Sequence, residues 1–221
     1  MSLTIYGIPE SRTVRPLWAA TELGLDFTHV ATSYQGGGTR SPDFLALNPN
    51  GHIPVLVDAR TDAEGGEVVV WESMACALYL ARHHGRADGL GISPSTPGED
   101  ADALRWSFWA VTEVEADALT VLMHRLVMPE ARRKPELALT AERRLAVPLR
   151  VIEAHFQKQQ ADGQAYLAAA RFTVADLCVA SVLNWARPAR ALMQEHPLTR
   201  DWILRCMARP AQVAAKALNG H

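Results

Sequence analysis

The apolar–polar alternation that a half-buried strand needs stops at residue 71 of this 221-residue chain and does not return. No single sheet can therefore run through the molecule, and the chain divides into a mixed α/β part followed by an all-α part. In the first part, Leu3 to Ile8 alternates as a strand, and Val14 to Leu23 has helical spacing that stops at Gly24. Phe27 to Thr32 reads as a second strand and Ser41 to Leu47 as a short helix. Val55 to Asp58 and Val68 to Trp71 are two more strands, and Met74 to Arg82 is a closing helix. The order β-α-β-α-β-β-α joins a parallel βαβ unit to an antiparallel hairpin through a second helix. Gly85 to Asp100 mixes Gly, Ser, Pro and charged residues without period, as a linker does. Beyond it, Leu104 to Leu126, Thr140 to Gln160, Val174 to Ala186 and Trp202 to Met207 carry apolar residues at helical spacing. The expected organisation is an α/β domain over residues 1–86, a linker over 87–100 and an all-α domain over 101–221. That length suffices for two separate cores.

Charge excludes several partner classes. Lys and Arg total 22 against 24 Asp and Glu, and the basic residues are scattered, so nothing marks a nucleic-acid or anionic-membrane surface. The densest basic run, Arg132, Arg133 and Lys134 followed by Arg143 and Arg144, is interleaved with glutamates and reads as a solvated helical face. No N-terminal charged and apolar regions suggest a signal peptide, and no apolar run approaches the ~20 residues of a membrane span, so a cytoplasmic protein is expected. The three cysteines, Cys76, Cys178 and Cys206, form no C-x-x-C pair. They fit a reducing compartment, and neither a metal nor dithiol chemistry is expected.

Three segments carry chemistry. In NPNGHIPVLVD, residues 48–58, Pro54 heads a strand where a ladder N–H is normally wanted. A cis Ile53–Pro54 bond would turn the peptide groups around Ile53 outward, where an extended peptide could pair with them; a trans proline on an edge strand is the alternative. At Trp71-Glu72-Ser73 a strand passes directly into a helix. Ser73 can be a simple cap, but a helix N-terminus beside a carboxylate also suits the anion and cation of an α-amino acid head group. In the turn Gly7-Ile8-Pro9-Glu10-Ser11-Arg12-Thr13, Pro16 is tolerated only in the first helical turn, which favours Thr13 as the cap. Ser11 then lies outside the helix, with a hydroxyl expected to be free for a ligand above the sheet; an ordinary turn serine is the alternative.

Together IYGIPESRTVRPLW, NPNGHIPVLVD and VVVWESMACALYLARH, with RFTVADLCVASVL in the second part, resemble the cytosolic glutathione transferases across nearly the whole chain. The resemblance implies a thioredoxin-like N-terminal domain, an α-helical C-terminal domain, a homodimer and glutathione as co-substrate. It implies that Pro54 is cis, that Ile53 pairs main chain with the cysteinyl unit, that Glu72 and Ser73 hold the γ-glutamyl group, and that His52 lies near the glycyl end. Ser11 matches the serine or cysteine of theta-like and bacterial members, with Tyr6 or Thr13 as other candidate hydroxyls. Thr173-Val174-Ala175-Asp176 is a capping box with Asp in the usual Glu position, and its role in the family is structural.

The implied chemistry is activation of a thiol. At a pKa of about 8.5 a thiol is only a few per cent thiolate at pH 7, and the thiolate is the nucleophile. Lowering that pKa by about two units takes about 2.7 kcal/mol, within reach of a hydroxyl hydrogen bond and a helix N-terminus. Ser11 would thus act as a donor to sulfur. The second substrate, a hydrophobic electrophile, is expected against the helix carrying Arg105, Trp106, Phe108, Trp109 and Thr112, with Arg105, Trp109 and Thr112 as candidate contacts, although the three aromatics serve equally well as core. Other functions open to such a chain are a glutathione-dependent reductase or isomerase, which Ser11 in place of Cys disfavours, and a non-catalytic binding scaffold of the same fold.

Overall fold

The structure, a computed structural model, describes residues 3–59, 66–85 and 91–218. It divides into two compact units, Met1–Ser93 with Arg209–His221, and Pro94–Ala208. The stretch 86–90 of the expected linker lies outside the described residues.

The first unit is built on strands β1 (Leu3–Tyr6), β2 (Thr28–Val30), β3 (Val55–Asp58) and β4 (Val68–Trp71) in the order β2-β1-β3-β4. β1 and β2 run parallel, while β3 is antiparallel to both β1 and β4. Helices α1 (Val14–Glu22), α2 (Pro42–Leu47) and α3 (Ser73–His83) fall in the predicted positions. Leu3 and Ile5 of β1, Val55 and Leu56 of β3, Leu17 and Trp18 of α1 and Cys76, Ala77 and Leu80 of α3 form the core. This is the expected thioredoxin-like arrangement. β3 is buried along all four residues because both its faces and both its edges are covered.

In the second unit, α4 (Pro97–Trp109) starts inside the stretch read as linker. The Thr96 hydroxyl accepts from the Glu99 N–H, and Pro97 stands in the first turn where its missing N–H costs nothing. α4 passes through a π-helical turn at Ala110–Val114 into α5 (Glu115–Leu122), which ends in another at Met123–Val127. The single helix expected over 104–126 is therefore interrupted twice. α6 (Pro135–Ala161) contains Pro148 on its buried side. α7 (Val174–Leu183) is buried at every position, its predominantly apolar faces enclosing the polar Asp176 and Ser181. α8 (Arg190–Gln194) and α9 (Pro197–Met207) complete this unit. No described helix is long and apolar enough to cross a membrane.

One element was not predicted. α10 (Pro210–Lys216) packs on α1, so the final helix belongs with the sheet and not with the all-α body expected to reach residue 221. Arg209 sets it there. Its Nε and Nη2 donate to the two carboxylate oxygens of Glu22 at 2.6 and 2.9 Å, while Trp18 Nε1 donates to Glu22 Oε1 at 2.9 Å.

Candidate functional site

Strand register brings the three chemical segments together. Tyr6 of β1 stands opposite Val55 of β3, and Val55 stands opposite Trp71 of β4. These three residues form one row across the sheet. Immediately beyond that row the chain continues as residues 7–13 after β1, arrives as Ile53–Pro54 before β3, and continues as Glu72–Ser73 after β4.

The Ile53–Pro54 bond is cis and Pro54 is buried. Ile53 has no partner in either ladder, whose registers begin at Val55. Its side chain packs against Phe44, Val55 and Val57. The approach to it is organised by Asn48, which is buried: Nδ2 donates to His52 O at 2.8 Å, and Oδ1 accepts from Asn50 N and Nδ2 at 3.0 and 3.1 Å. The His52 side chain is exposed. Asn48 opens the turn NPNG, and an Asn side chain that folds back on its own backbone is a recognised turn builder.

At the next junction, Glu72 is the one non-glycine described with a positive φ, 71°, and its side chain is exposed. Backbone held there costs on the order of 1–3 kcal/mol and tends to occur at functional sites. Its carbonyl accepts from Cys76 N to close the first turn of α3, but no side chain caps that end. Ser73 is not the simple cap. It is buried at 4% exposure, and its Oγ accepts from Arg15 Nη1 at 2.7 Å. The amides opening α3 thus keep their positive character. Cys76, three residues on, is no nucleophile: burial and then the nearby Glu72 charge push its thiol far up, and Sγ donates to Val70 O at 3.3 Å.

The turn before α1 departs from expectation. Ser11 Oγ lies 2.7 Å from Ile8 O, to which it donates, and 2.9 Å from Thr13 Oγ1, and it accepts from Thr13 N at 3.1 Å. Its hydroxyl is therefore committed locally and not free as expected. The reason is that bonds from Val14 N to Ser11 O and from Arg15 N to Arg12 O extend helical turns back to Ser11. Thr13 has helical φ and ψ and caps nothing. Ser11 remains partly exposed, Thr13 is fully buried beneath Gly7, and Tyr6 packs edge-on against Phe44 at 6.4 Å.

In the second unit, Arg105, Trp109 and Thr112 follow i, i+4, i+7 spacing along α4 and its π-helical turn. Arg105 is exposed, pairs with Asp102 at 2.8 Å and lies over the Trp106 ring at 5.6 Å. Thr112 is exposed and donates to Phe108 O, while Trp109 is half-buried. Trp106 is core, packed edge-on against Trp109 and His155 at 5.1 and 4.9 Å.

Residues 1–82 match the family model described as Glutathione S-transferase, N-terminal domain, and residues 115–210 match Glutathione S-transferase, C-terminal domain. The chain belongs to the glutathione S-transferase family. Glutathione S-transferase 3 of Zea mays is 34% identical over 95% of this chain and 90% of its own length. The disulfide-bond oxidoreductase YfcG of Escherichia coli is 29% identical over 86% of this chain and 83% of its own. Among solved structures, the theta class glutathione S-transferase of Xanthomonas axonopodis pv. citri with glutathione bound superposes with a TM-score of 0.78 at 28% identity, covering 99% of this chain and 98% of that one.

A further buried feature in this transferase holds the second unit together. Asp176, fully buried, accepts at Oδ1 from Leu167 N and Trp202 Nε1, and at Oδ2 from Thr173 N and Oγ1. Loss of hydration pushes its carboxyl up to about 6, and these donors only partly offset that. The predicted capping box is present, with Asp176 also reaching the loop before α7 and the face of α9.

Proposed function

We propose that this transferase activates the thiol of glutathione and directs the thiolate onto a hydrophobic electrophile. The observation that supports this most is the row Tyr6, Val55 and Trp71, which gathers Ser11, Ile53 and Ser73 at one end of the sheet. Ile53 offers its main chain to the cysteinyl unit, Pro54 presents it, and His52 serves the glycyl end. The uncapped start of α3 with Ser73 holds the γ-glutamyl carboxylate, and Glu72 holds the ammonium. Ser11 turns its proton from the Ile8 carbonyl to the sulfur, so it acts as a hydrogen-bond donor and not as a base. Arg105, Trp109 and Thr112 line the surface that takes the electrophile.

The protein works as a homodimer in the cytoplasm. Apolar side chains left exposed on β4, Val69 and Trp71, and on α4, Leu104 and Phe108, favour a second copy as partner, and three buried free cysteines fit a reducing compartment. Likeness to a disulfide-bond oxidoreductase favours a second reading, glutathione-dependent thiol exchange. The test is glutathione affinity by calorimetry, together with the pH dependence of conjugation to an aryl halide and of disulfide reduction, in wild type and Ser11→Ala. Conjugation is expected to fall about 10- to 100-fold in the variant, the worth of one hydrogen bond to a charged group, with glutathione affinity little changed. Unchanged conjugation would remove Ser11 from the mechanism. Reduction without conjugation would favour the second reading, and binding without either reaction would leave a scaffold.

A further inference from the structure

Arg15 occupies a position that its chemistry does not favour. It lies on α1 with 1% of its surface exposed, although a guanidinium carries its charge at all physiological pH. Its Nη1 reaches across to Ser73 Oγ at 2.7 Å. The direction of that bond is fixed, because a guanidinium has five N–H donors and no acceptor. The Ser73 oxygen must accept, and its own proton must point elsewhere.

Within α3 the proton has nowhere to go. A serine in the middle of a helix can donate to the carbonyl one turn earlier, but Ser73 is the first residue of α3 and has no such carbonyl on its own helix. The same end presents main-chain N–H groups without a side-chain cap, and a buried positive charge lies behind it. The Ser73 hydroxyl and the open N–H groups are donors and so suit a carboxylate, while the exposed Glu72 side chain beside them suits a cation.

We propose that Arg15 is a positioning residue for the γ-glutamyl end of glutathione: by donating to Ser73 Oγ it turns the Ser73 proton outward, as a ready donor to the α-carboxylate. This rests on the glutathione reading above. Arg15 acts through Ser73 and need not touch the ligand.

The test measures binding of glutathione and of an analogue whose γ-glutamyl unit is replaced by γ-aminobutyrate, which lacks only the α-carboxylate. The proteins are wild type, Arg15→Lys, Arg15→Gln, Ser73→Ala and Arg15→Gln with Ser73→Ala. A glutamine can accept from Ser73 and so releases the enforced polarity, whereas a lysine only donates. Arg15→Gln is expected to weaken glutathione about tenfold or more, as for one hydrogen bond to a charged group, and the analogue by less than about twofold. Arg15→Lys should recover most of that loss, and in the Ser73→Ala background Arg15→Gln should cost nothing further. Equal losses for both ligands, or undiminished loss in that background, would show Arg15 to be structural and overturn the proposal. Should Arg15→Gln fail to fold, Ser73→Ala alone decides, since equal weakening of the two ligands refutes a preset donor. A wild type that binds neither ligand overturns the glutathione reading and this inference with it, whereas binding with equal losses overturns only the inference.

Discussion

Gly7 shows how tightly single atoms constrain the region around Ser11. Its φ is +136°, and a Cβ added there would fall 2.0 Å from Thr13 Oγ1, the atom that also contacts Ser11 Oγ. Nothing nearby yields cheaply: Thr13 is fully buried, and the Gly7 carbonyl is held by buried His29 Nε2 at 2.9 Å. Gly7→Ala is therefore predicted to destabilise by about 2–4 kcal/mol, combining backbone strain with overpacking, and to lower conjugation further by shifting Ser11. Thermal unfolding and kcat/KM would check this; a variant as stable and active as wild type would show that the turn adapts freely. Residue types and spacing marked Ser11, Pro54 and Ser73 as candidates, and the bond before Pro54 is cis as expected. Hydroxyl direction was not legible, because it depends on which of several carbonyls and side chains the folded turn brings within 3 Å. Arg15 was invisible for a related reason: only the packing of α1 against α3 tells a buried arginine from a surface one.

At the scale of elements, periodicity served well wherever apolar and polar residues contrast. All four strands and the first three helices stood within a few residues of their predicted places. It failed at the π-helical turns, where an extra residue shifts the face without altering composition, and at the start of α4, where the Thr96–Glu99 cap lay inside a stretch judged by its Gly and Pro content. Caps also carry the pH response. With its folded-state pKa pushed up to about 6 from 3.8, Asp176 binds its proton more tightly in the folded than in the unfolded protein. Its titration therefore adds stability that is complete below the unfolded value and is lost as pH rises through about 6. Asp176→Asn removes this titration and leaves one pair of donors facing an amide NH2, at a cost of about 2–4 kcal/mol. Denaturant melts of both proteins between about pH 4 and about pH 7 should show the stability gap narrowing as pH rises. A gap that widens with pH would mean that the four donors outweigh burial.

Across the whole molecule, the sequence showed two bodies of different composition but not where the chain ends its course. The segment forming α10, PAQVAAK, is short and alanine-rich, with too little hydrophobic contrast to show a face, yet Gln212 and Ala215 are buried on the first unit. The sheet unit is thus made from both ends of the chain, and the helix following Ser11 and bearing Arg15 is covered by residues some two hundred positions later. An exposed ion pair would matter little here, but the Glu22 side chain is only 9% exposed, is engaged by Arg209 through both oxygens, and also holds the buried Trp18 indole. Arg209→Gln is accordingly predicted to lose about 1–2 kcal/mol, less than the cost of breaking a fully buried pair because Arg209 is partly solvated. Deleting the chain from Arg209 onward should cost more, about 3–5 kcal/mol, because it also uncovers the apolar surface of α1. If α10 steadies α1, that deletion must weaken glutathione binding even though every candidate ligand contact lies upstream of it. Calorimetric affinity and thermal unfolding measured on the same preparations would decide: a truncated protein that melts lower yet binds glutathione as tightly as wild type would confine α10 to stability and detach it from the site.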